Sequence, residues 1–361
     1  MTLSHKPKGY LLKRIKLAIF VFVALLFVSS PIALLPISGS LNVYNWADYI
    51  PKHIIHKFER ETGIRVNYAE YDNNETMYAK LRTNPQNGYD VVVPSSYFIE
   101  RMTQQDMLHT IDFSKIPNSQ HLNPLLMHGG YDPKNQHSLP IVFGTTGIMV
   151  NDLYYDPRKI TGWSDFWKPE FKNELMILND VREVFAVSLR SLGMSVNARD
   201  PEEIRKAYLH LKELVPNIKL FDPGAGVSIY TDEDAWIGMI YSGAAYSAMQ
   251  ENAHLHYIYP KEGAGLWVDC YAIPKNAPHL ENAYKFINYM LRPDINVEII
   301  KASGYSSANL KAMQSLPPEL RDNKVLNPDQ SLLQGAESIQ DVGGKAKGTY
   351  EHYWQLFKIS S

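Results

Sequence analysis

The sequence contains a single cysteine, Cys270, and therefore cannot form an internal disulfide. It also lacks a long basic run beyond residue 40. The first 40 residues hold five basic residues and no acidic ones, so the remainder carries 31 Lys and Arg against 38 Asp and Glu, a net charge of −7. This balance argues against a nucleic-acid partner and weakly favours a cationic one. No nucleophile–base pair or metal-ligand constellation is recognisable, so we expect no catalysis, no cofactor and no metal.

The first 40 residues are predicted to direct export. A basic stretch, residues 6–16, precedes an apolar run, Leu17–Leu35, and small residues follow at Ile37–Ser40. The apolar run approaches the length that spans a bilayer, so residues 1–40 are either a signal peptide or an uncleaved N-terminal anchor. No cysteine follows directly, so the segment offers no site for a cysteine-linked lipid.

The rest of the chain alternates between strand and helix patterns. Leu41–Ala47 predicts a strand, Ile50–Gly63 a helix, Ile64–Tyr71 a second strand and, after another helix, Tyr89–Ser96 a third. Such alternation is typical of a parallel sheet covered by helices, so the predicted fold class is α/β. The alternation resumes from residue 138, and the length suits two domains or lobes.

Five predicted strand ends share one chemistry, and ligands of open α/β sheets bind at the carboxyl ends of strands. Aromatic rings and carboxylates recur there, whereas Arg182 is the one basic residue. A carboxylate forms charge-assisted hydrogen bonds with an ammonium group, and a ring attracts the cation or packs its methylene chain. The segments therefore predict a site for an organic cation: NWADY, PSSY, NDVRE, MIYSG and WVDCY.

The segment LWVDCYAIP, Leu266–Pro274, carries an acid inside an otherwise apolar strand. Because side chains alternate along a strand, Trp267, Asp269 and Tyr271 should share one face, with Cys270 on the other. We expect Cys270 to be a small buried residue rather than a reactive thiol, since no neighbouring base is evident. The opposite face, two aromatics around an acid, fits a cation site.

Ten segments, in order and at similar spacing, resemble the spermidine/putrescine-binding proteins of bacterial polyamine ABC transporters. The resemblance spans essentially all of the chain after the export segment. It implies a two-lobed periplasmic binding protein of type II, each lobe a central sheet flanked by helices, with hinge strands between the lobes. The lobes would comprise residues 41–144 plus 269–313 and residues 145–268 plus 314–361. The segments are YNWADYIP, ETGIRVNYAEYDNNETMYAKL, YDVVVPSSYFIERM, GWSDFWKPEFK, DVREVF, GMIYSG, PKEGAGLWVDCYAIP, INYMLRPD, GYSSAN and IQDVG.

The same resemblance implies a function and a set of site residues. A polyamine, with spermidine preferred and putrescine accepted, would bind between the lobes, and a monomer in the periplasm would deliver it to an ABC permease in the inner membrane. The carboxylates of Asp180, Glu183 and Asp269 would meet the ligand nitrogens. Ser96 and Gln340 would supply neutral hydrogen bonds. The methylene chain would pack on the rings of Trp46, Tyr49, Tyr97, Tyr241, Trp267 and Tyr305.

Structural interpretations compete with some of these assignments. Asp180 and Glu183 also form a capping-box-like pattern at a helix start, and Trp and Tyr residues lie more often in cores than in ligand sites. Two positions depart from the family pattern: Tyr241 stands where the relatives commonly have tryptophan, and Ala47 where they have a hydroxyl residue. These departures leave the ligand preference open.

Other motifs are assigned no function. Asn74-Glu75-Thr76 matches a glycosylation sequon, which we interpret as a chance match. Several histidines have spacing that a metal could use, but no strand-end carboxylate accompanies them, so we expect them on the solvated surface. They include His53, His56, His254 and His256.

Two further functions fit the same sequence. The three carboxylates could serve as acid and base in a carbohydrate-active enzyme, with the aromatics stacking on sugars, provided that one acid has a raised pKa. An uncleaved N-terminal anchor would instead favour a membrane-anchored polyamine sensor.

Overall fold

A computed structural model describes residues 39–47, 49–83, 88–222, 226–329, 332 and 337–361. The predicted signal or anchor lies outside these residues, except for Gly39 and Ser40. Those two residues open the first strand, which therefore begins at Gly39 rather than at the predicted Leu41. Within the described ranges, no helix is long and apolar enough to cross a membrane.

Strands and helices follow each other much as the pattern predicted. The strands are β1 (Gly39–Trp46), β2 (Ile64–Tyr71), β3 (Val91–Val92), β4 (Leu139–Asn151), β5 (Leu175–Leu178), β6 (Ile218–Asp222), β7 (Ile237–Tyr241), β8 (Leu255–Ile258), β9 (Gly265–Tyr271) and β10 (Ser306–Ser307). The helices are α1 (Lys52–Thr62), α2 (Asn74–Thr83), α3 (Ser96–Gln104), α4 (Val181–Ser191), α5 (Pro201–Leu214), α6 (Val227–Thr231), α7 (Ser242–Glu251), α8 (Leu280–Met290), α9 (Pro293–Ser303), α10 (Leu310–Gln314), α11 (Pro318–Arg321) and α12 (Gly343–Ser360). Short 3-10 helices occur at Phe113–Lys115, Pro117–His121, Pro157–Lys159, Trp163–Trp167, Pro169–Phe171 and Val215–Asn217.

The first sheet has the order β2-β1-β3, and its strands are parallel, as predicted. Helix α1 covers it because Ile54, Ile55 and Phe58 recur at helical spacing and are buried together. Strand β3 is much shorter than the predicted Tyr89–Ser96. Proline 94 cannot donate a hydrogen bond to a ladder, and Ser96 already begins α3.

The second sheet is mixed. Its main order is β10-β4-β7-β5-β6, with β8 and β9 also paired to β4. Strand β5 runs parallel to β6 and β7, whereas the 13-residue β4 is antiparallel to each of its partners. The sequence pattern identified β4 as strand-rich, but its length and its number of partners follow from tertiary pairing.

Strand β9 connects the second sheet to the first. It pairs with β4 from Gly265 to Tyr271, and within this range Cys270 N also donates to Pro94 O, beside β3, at 3.0 Å. Val92 and Ala272 then exchange two backbone hydrogen bonds of 2.9 Å at the end of β3. Strands β4 and β9 therefore run together from one sheet to the other.

The predicted lobe boundaries fall inside two strands and a helix. The boundaries after residues 144 and 268 fall inside β4 and β9, where Phe143 pairs with Val268. The boundary after residue 313 falls inside helix α10. The division of the chain into two lobes remains a prediction.

The predicted alternation of side chains along β9 is confirmed. Val268, Cys270 and Ala272 pack in one core under α3, whereas Tyr271 belongs to a different core beside α8. Cys270 is fully buried, and its burial raises the pKa of the thiol well above its ordinary value. It is the buried, unreactive residue that the sequence predicted.

Candidate functional site

Asp269 is a buried carboxylate on β9, only 2% exposed. Ser95 Oγ donates a hydrogen bond to its Oδ1 at 2.6 Å, and the Tyr49 hydroxyl donates to its Oδ2. Burial raises the pKa of Asp269 to about 6, and the two hydrogen bonds oppose that rise. Both donors are neutral, and among the described residues no ion pair involves this acid. Asp269 is therefore held in place without a counter-charge.

Asp180 and Glu183 form a second acidic group at the start of α4. Asp180 accepts hydrogen bonds from the backbone N–H groups of Arg182 at 2.8 Å and Glu183 at 3.0 Å, so the capping interpretation is confirmed. Burial, and next the charge of Asp180, raise the pKa of Glu183 to about 7, while Arg190 opposes this. Burial also raises the pKa of Asp180. The pair serves as a helix cap and remains a candidate ligand group.

Five rings form a continuous row, which we call the aromatic wall. Its centroid distances are 6.2 Å between Trp46 and Tyr49, 5.4 Å between Tyr49 and Tyr305, 5.6 Å between Tyr305 and Trp267, and 6.0 Å between Trp267 and Tyr241. These separations are typical of rings in contact. The wall thus joins residues from β1, β7, β9 and the segment after α9.

The aromatic wall links the two acidic groups. Its Tyr49 contacts Asp269, whereas the pKa of Tyr241 is raised by burial and then by the nearby charges of Asp180 and Glu183. A ligand along the wall would therefore meet carboxylates at both ends.

Tyr97 on helix α3 and Glu75 on helix α2 extend the candidate site. Tyr97 is 8% exposed, and its pKa is raised by burial and then by the charges of Glu75 and Asp180. Burial, followed by the charge of Asp180, also raises the pKa of Glu75. Glu75 is a carboxylate that the sequence analysis missed, because it opens helix α2 rather than following a strand.

Ser96 and Gln340, the residues that the resemblance assigns to neutral hydrogen bonds, differ in their exposure. Ser96 is buried at the first position of α3, but the preceding residue, Ser95, makes the hydrogen bond to Asp269. Gln340 has an exposed side chain, and its backbone accepts from Arg182 Nη1 at 3.0 Å. The ligand roles of Ser96 and Gln340 remain predictions.

The indole nitrogens of Trp46 and Trp267 are unusual. In the described part of the chain, each is a buried N–H donor without a hydrogen-bond partner. Buried donors are nearly always satisfied, so these two are candidates for contact with a ligand or water. The described part of the chain contains no group of three or more His, Cys, Asp and Glu side chains that could hold a metal ion.

A buried ion pair near the candidate site joins helix α3, in the region of the first sheet, to the segment before α12, in the region of the second sheet. Arg101 of α3 donates through Nη2 to Asp341 Oδ1 and through Nε to Oδ2 at 3.4 Å. Asp341 precedes α12, which packs on α5 and α4 of the second region. The pair therefore connects elements that flank opposite sides of the site.

Two sheets joined by crossing strands, with acids and rings gathered between them, are the architecture of a solute-binding protein. The chain belongs to the bacterial extracellular solute-binding protein family, whose model matches residues 53–326. This membership implies a location outside the cytoplasm.

Individual relatives carry more specific names. The chain is 43% identical to the spermidine/putrescine-binding periplasmic protein of Salmonella typhimurium, over 89% of this chain and 92% of that protein. It is 31% identical to the putrescine-binding periplasmic protein SpuD of Pseudomonas aeruginosa, over 88% and 91% of the two chains. A putative spermidine/putrescine ABC transporter structure from Listeria monocytogenes superposes with a TM-score of 0.84 at 34% identity, over 90% of this chain and all of that one. These relatives are binding and transport proteins, so this chain is a binding protein rather than the carbohydrate-active enzyme considered above.

Proposed function

We propose that the protein captures a polyamine between its two sheets and delivers it to an ABC permease in the inner membrane. The observation that carries the proposal is the aromatic wall with buried carboxylates near each end and no ion pair to satisfy them among the described residues. A polyamine complements this pattern, because its ammonium groups are separated by apolar methylene chains. The relatives named above for spermidine or putrescine support the same ligand class.

The predicted site residues take definite roles in this proposal. Asp269 binds the nitrogen at one end, and Asp180 with Glu183 binds nitrogens at the other. The rings of Trp46, Tyr49, Tyr97, Tyr241, Trp267 and Tyr305 pack the methylene chain, and Ser96 and Gln340 provide neutral hydrogen bonds. Ser95 and Glu75 join this set, since they contact or face its carboxylates.

We further propose that spermidine binds more tightly than putrescine. Spermidine carries one more cationic nitrogen and is longer. The site has several carboxylates near one end and a further one at the other, which a longer, more highly charged ligand can engage together. The relative named for both polyamines is also more similar to this chain than the one named for putrescine alone.

Binding would close the two lobes around the ligand by a hinge motion in β4 and β9. A ligand that contacts both lobes binds the closed state more tightly and shifts the population toward it. The Arg101–Asp341 ion pair supports this proposal, because it spans the same two regions. The protein would act as a monomer in the periplasm, without nucleic acid.

Calorimetric titration with spermidine, putrescine, cadaverine, arginine and ferric citrate tests the proposal. We expect binding of spermidine at micromolar concentration or below, weaker binding of putrescine, and none of ferric citrate. If neither spermidine nor putrescine binds in the micromolar range, the proposal is wrong. The N-terminal sequence of the protein recovered from cells would separate a periplasmic protein from a membrane-anchored sensor, which retains residues 1–40.

A further inference from the structure

Asn74 is the residue of the sequon match, and the structure gives its side chain a different use. It is 4% exposed, and its Nδ2 donates to Ser95 Oγ at 3.0 Å and to the Tyr97 hydroxyl at 3.2 Å. Its Oδ1 accepts from the backbone N–H of Ser95 at 3.1 Å. A backbone N–H can only donate, so this contact fixes which atom of the amide is oxygen and which is nitrogen.

The neighbouring asparagine performs the ordinary structural task at this helix start. Asn73 Oδ1 accepts from the backbone N–H of Thr76 at 2.8 Å, which caps the first turn of α2. Asn74 is therefore not needed as the cap. Its side chain turns inward, where two binding-site residues receive both of its amide hydrogens.

The direction of these hydrogen bonds determines how Ser95 can act. A serine hydroxyl has one hydrogen, and because Ser95 Oγ accepts from Asn74 its own hydrogen remains available for Asp269 Oδ1, 2.6 Å away. The result is a one-way chain from the Asn74 amide through the Ser95 hydroxyl to the carboxylate of Asp269. Hydrogen bonds in such a chain polarise and strengthen one another.

We propose that Asn74 is a positioning residue for polyamine binding: it orients Ser95 so that the Ser95 hydroxyl donates to Asp269, and it holds the hydroxyl of Tyr97. This inference rests on the proposed function. Because the Tyr97 hydroxyl accepts a hydrogen bond from Asn74 Nδ2, its own hydrogen points away from Asn74. No ligand contact by Asn74 itself is required.

The other groups around Asp269 do not change charge near neutral pH. Burial raises the pKa of Tyr49, Tyr71 and Tyr131 above the ordinary value for tyrosine, and burial raises that of the Cys270 thiol. Across the site, Asp180, Glu183 and Glu75 also have raised pKa values and contribute to any pH profile. A change at Asn74 must therefore be measured against the wild-type profile.

The test compares Asn74→Ala with Asn73→Ala, measuring the Kd for spermidine from pH 5 to 8 and the melting temperature. Asn74→Ala should weaken binding about five- to tenfold, and the acid limb of its affinity profile should move to higher pH because the Asp269 carboxylate loses a well-oriented donor. Asn73→Ala should lower only the melting temperature, since it removes the helix cap. The uncharged substitutions add no carboxylate to the site.

The outcomes separate this inference from the proposed function. If the wild-type protein binds no polyamine, both are wrong. If it binds spermidine and Asn74→Ala keeps the wild-type Kd and pH profile, the inference alone is overturned. Should Asn74→Ala fail to fold, Asn74→Ser decides, because its single hydroxyl cannot donate to both Ser95 and Tyr97: a weaker Kd with a shifted acid limb supports the inference, and wild-type values refute it. In the double variant Asn74→Ala, Ser95→Ala, the loss of spermidine affinity should be only slightly greater than the larger of the two single losses. The reason is that Asn74 acts on Asp269 through Ser95.

Discussion

The two acidic ends of the site hold their carboxylates in different ways. At one end, both oxygens of Asp269 receive hydrogen bonds from neutral hydroxyl groups. At the other end, Asp180 and Glu183 lie close together, and the charge of Asp180 opposes ionisation of Glu183. The pKa is about 6 for Asp269 and about 7 for Glu183, each raised mainly by burial.

If the proposed function is correct, a bound ammonium group would act differently at the two ends. Near Asp269 it would supply a counter-charge to an acid that hydroxyl groups already orient. Near Asp180 and Glu183 it would relieve repulsion, so that both acids can be ionised together. The first end should favour a precise geometry, and the second should depend more strongly on pH.

The largest expected effect is that of pH on spermidine affinity. The ligand's amines gain protons, if they change at all, as the pH falls from 8 to 5, whereas Glu183 and then Asp269 lose their negative charge over the same range. Binding should weaken about 100-fold from pH 8 to pH 5, with the Glu183 end responding first. Isothermal calorimetry across this range would test it, and a constant Kd would exclude both acids as ligand groups.

The stability of the unliganded protein should depend on pH in the opposite direction, because the same two acids destabilise the folded state when they ionise. Their folded-state pKa values lie above the ordinary values, so their contribution to the free energy of unfolding is complete below about pH 4 and is lost as pH rises through 6 to 7. Melting temperatures of wild type and of an Asp269→Asn, Glu183→Gln double variant should therefore diverge as the pH rises, with the variant becoming relatively more stable. Parallel curves would contradict the raised pKa values.

Replacing Asp269 by asparagine should give the next largest effect. The amide keeps the size of the side chain but removes the charged partner of a buried ammonium group, so spermidine affinity should fall by about 2 kcal/mol or more, roughly 30-fold. Titration calorimetry at pH 8, where wild-type Asp269 is ionised, gives the clearest comparison. An unchanged Kd would remove Asp269 from the site.

Much of the fold could be predicted from the sequence, because its signals are local. The helical spacing of Ile54, Ile55 and Phe58 identified α1, and the alternation around Asp269 placed its side chain on the face opposite Cys270. The Asp180 cap was also recognisable, since capping depends on neighbouring residues.

The details of the site depend on contacts between distant segments, and here the sequence was insufficient. Ser95 and Ser96 are adjacent hydroxyl residues at a strand end, where Pro94 interrupts the alternation that could have distinguished them. Glu75 lies close enough to Asp180 to feel its charge, although more than 100 residues separate the two in the sequence. No periodicity carries that information, and the resemblance to known proteins did not include this residue.

Single substitutions at the paired acids should have smaller effects than Asp269→Asn. In Glu183→Gln, Asp180 loses its repelling neighbour and ionises more readily, and in Asp180→Asn the same holds for Glu183, while the asparagine keeps the helix cap. Each should weaken spermidine binding by about 1 kcal/mol. The double variant should lose more than the sum of the two, and a double-mutant cycle measures this. Strict additivity would show that the two acids do not compensate for each other.

The smallest expected effect is at the hydroxyl group that orients Asp269 from the other side. Tyr49→Phe keeps the ring of the aromatic wall but removes the hydrogen bond to Oδ2, so spermidine affinity should fall about three- to fivefold. The acid limb of the profile should also move to higher pH, because the carboxylate loses a donor that lowers its pKa. Tyr271→Phe is the matched control, since Tyr271 is a buried tyrosine on β9, the strand of Asp269, and packs in the core beside α8. Its Kd and pH profile should equal those of the wild type, and a similar loss in both variants would mean that Tyr49 contributes only to packing.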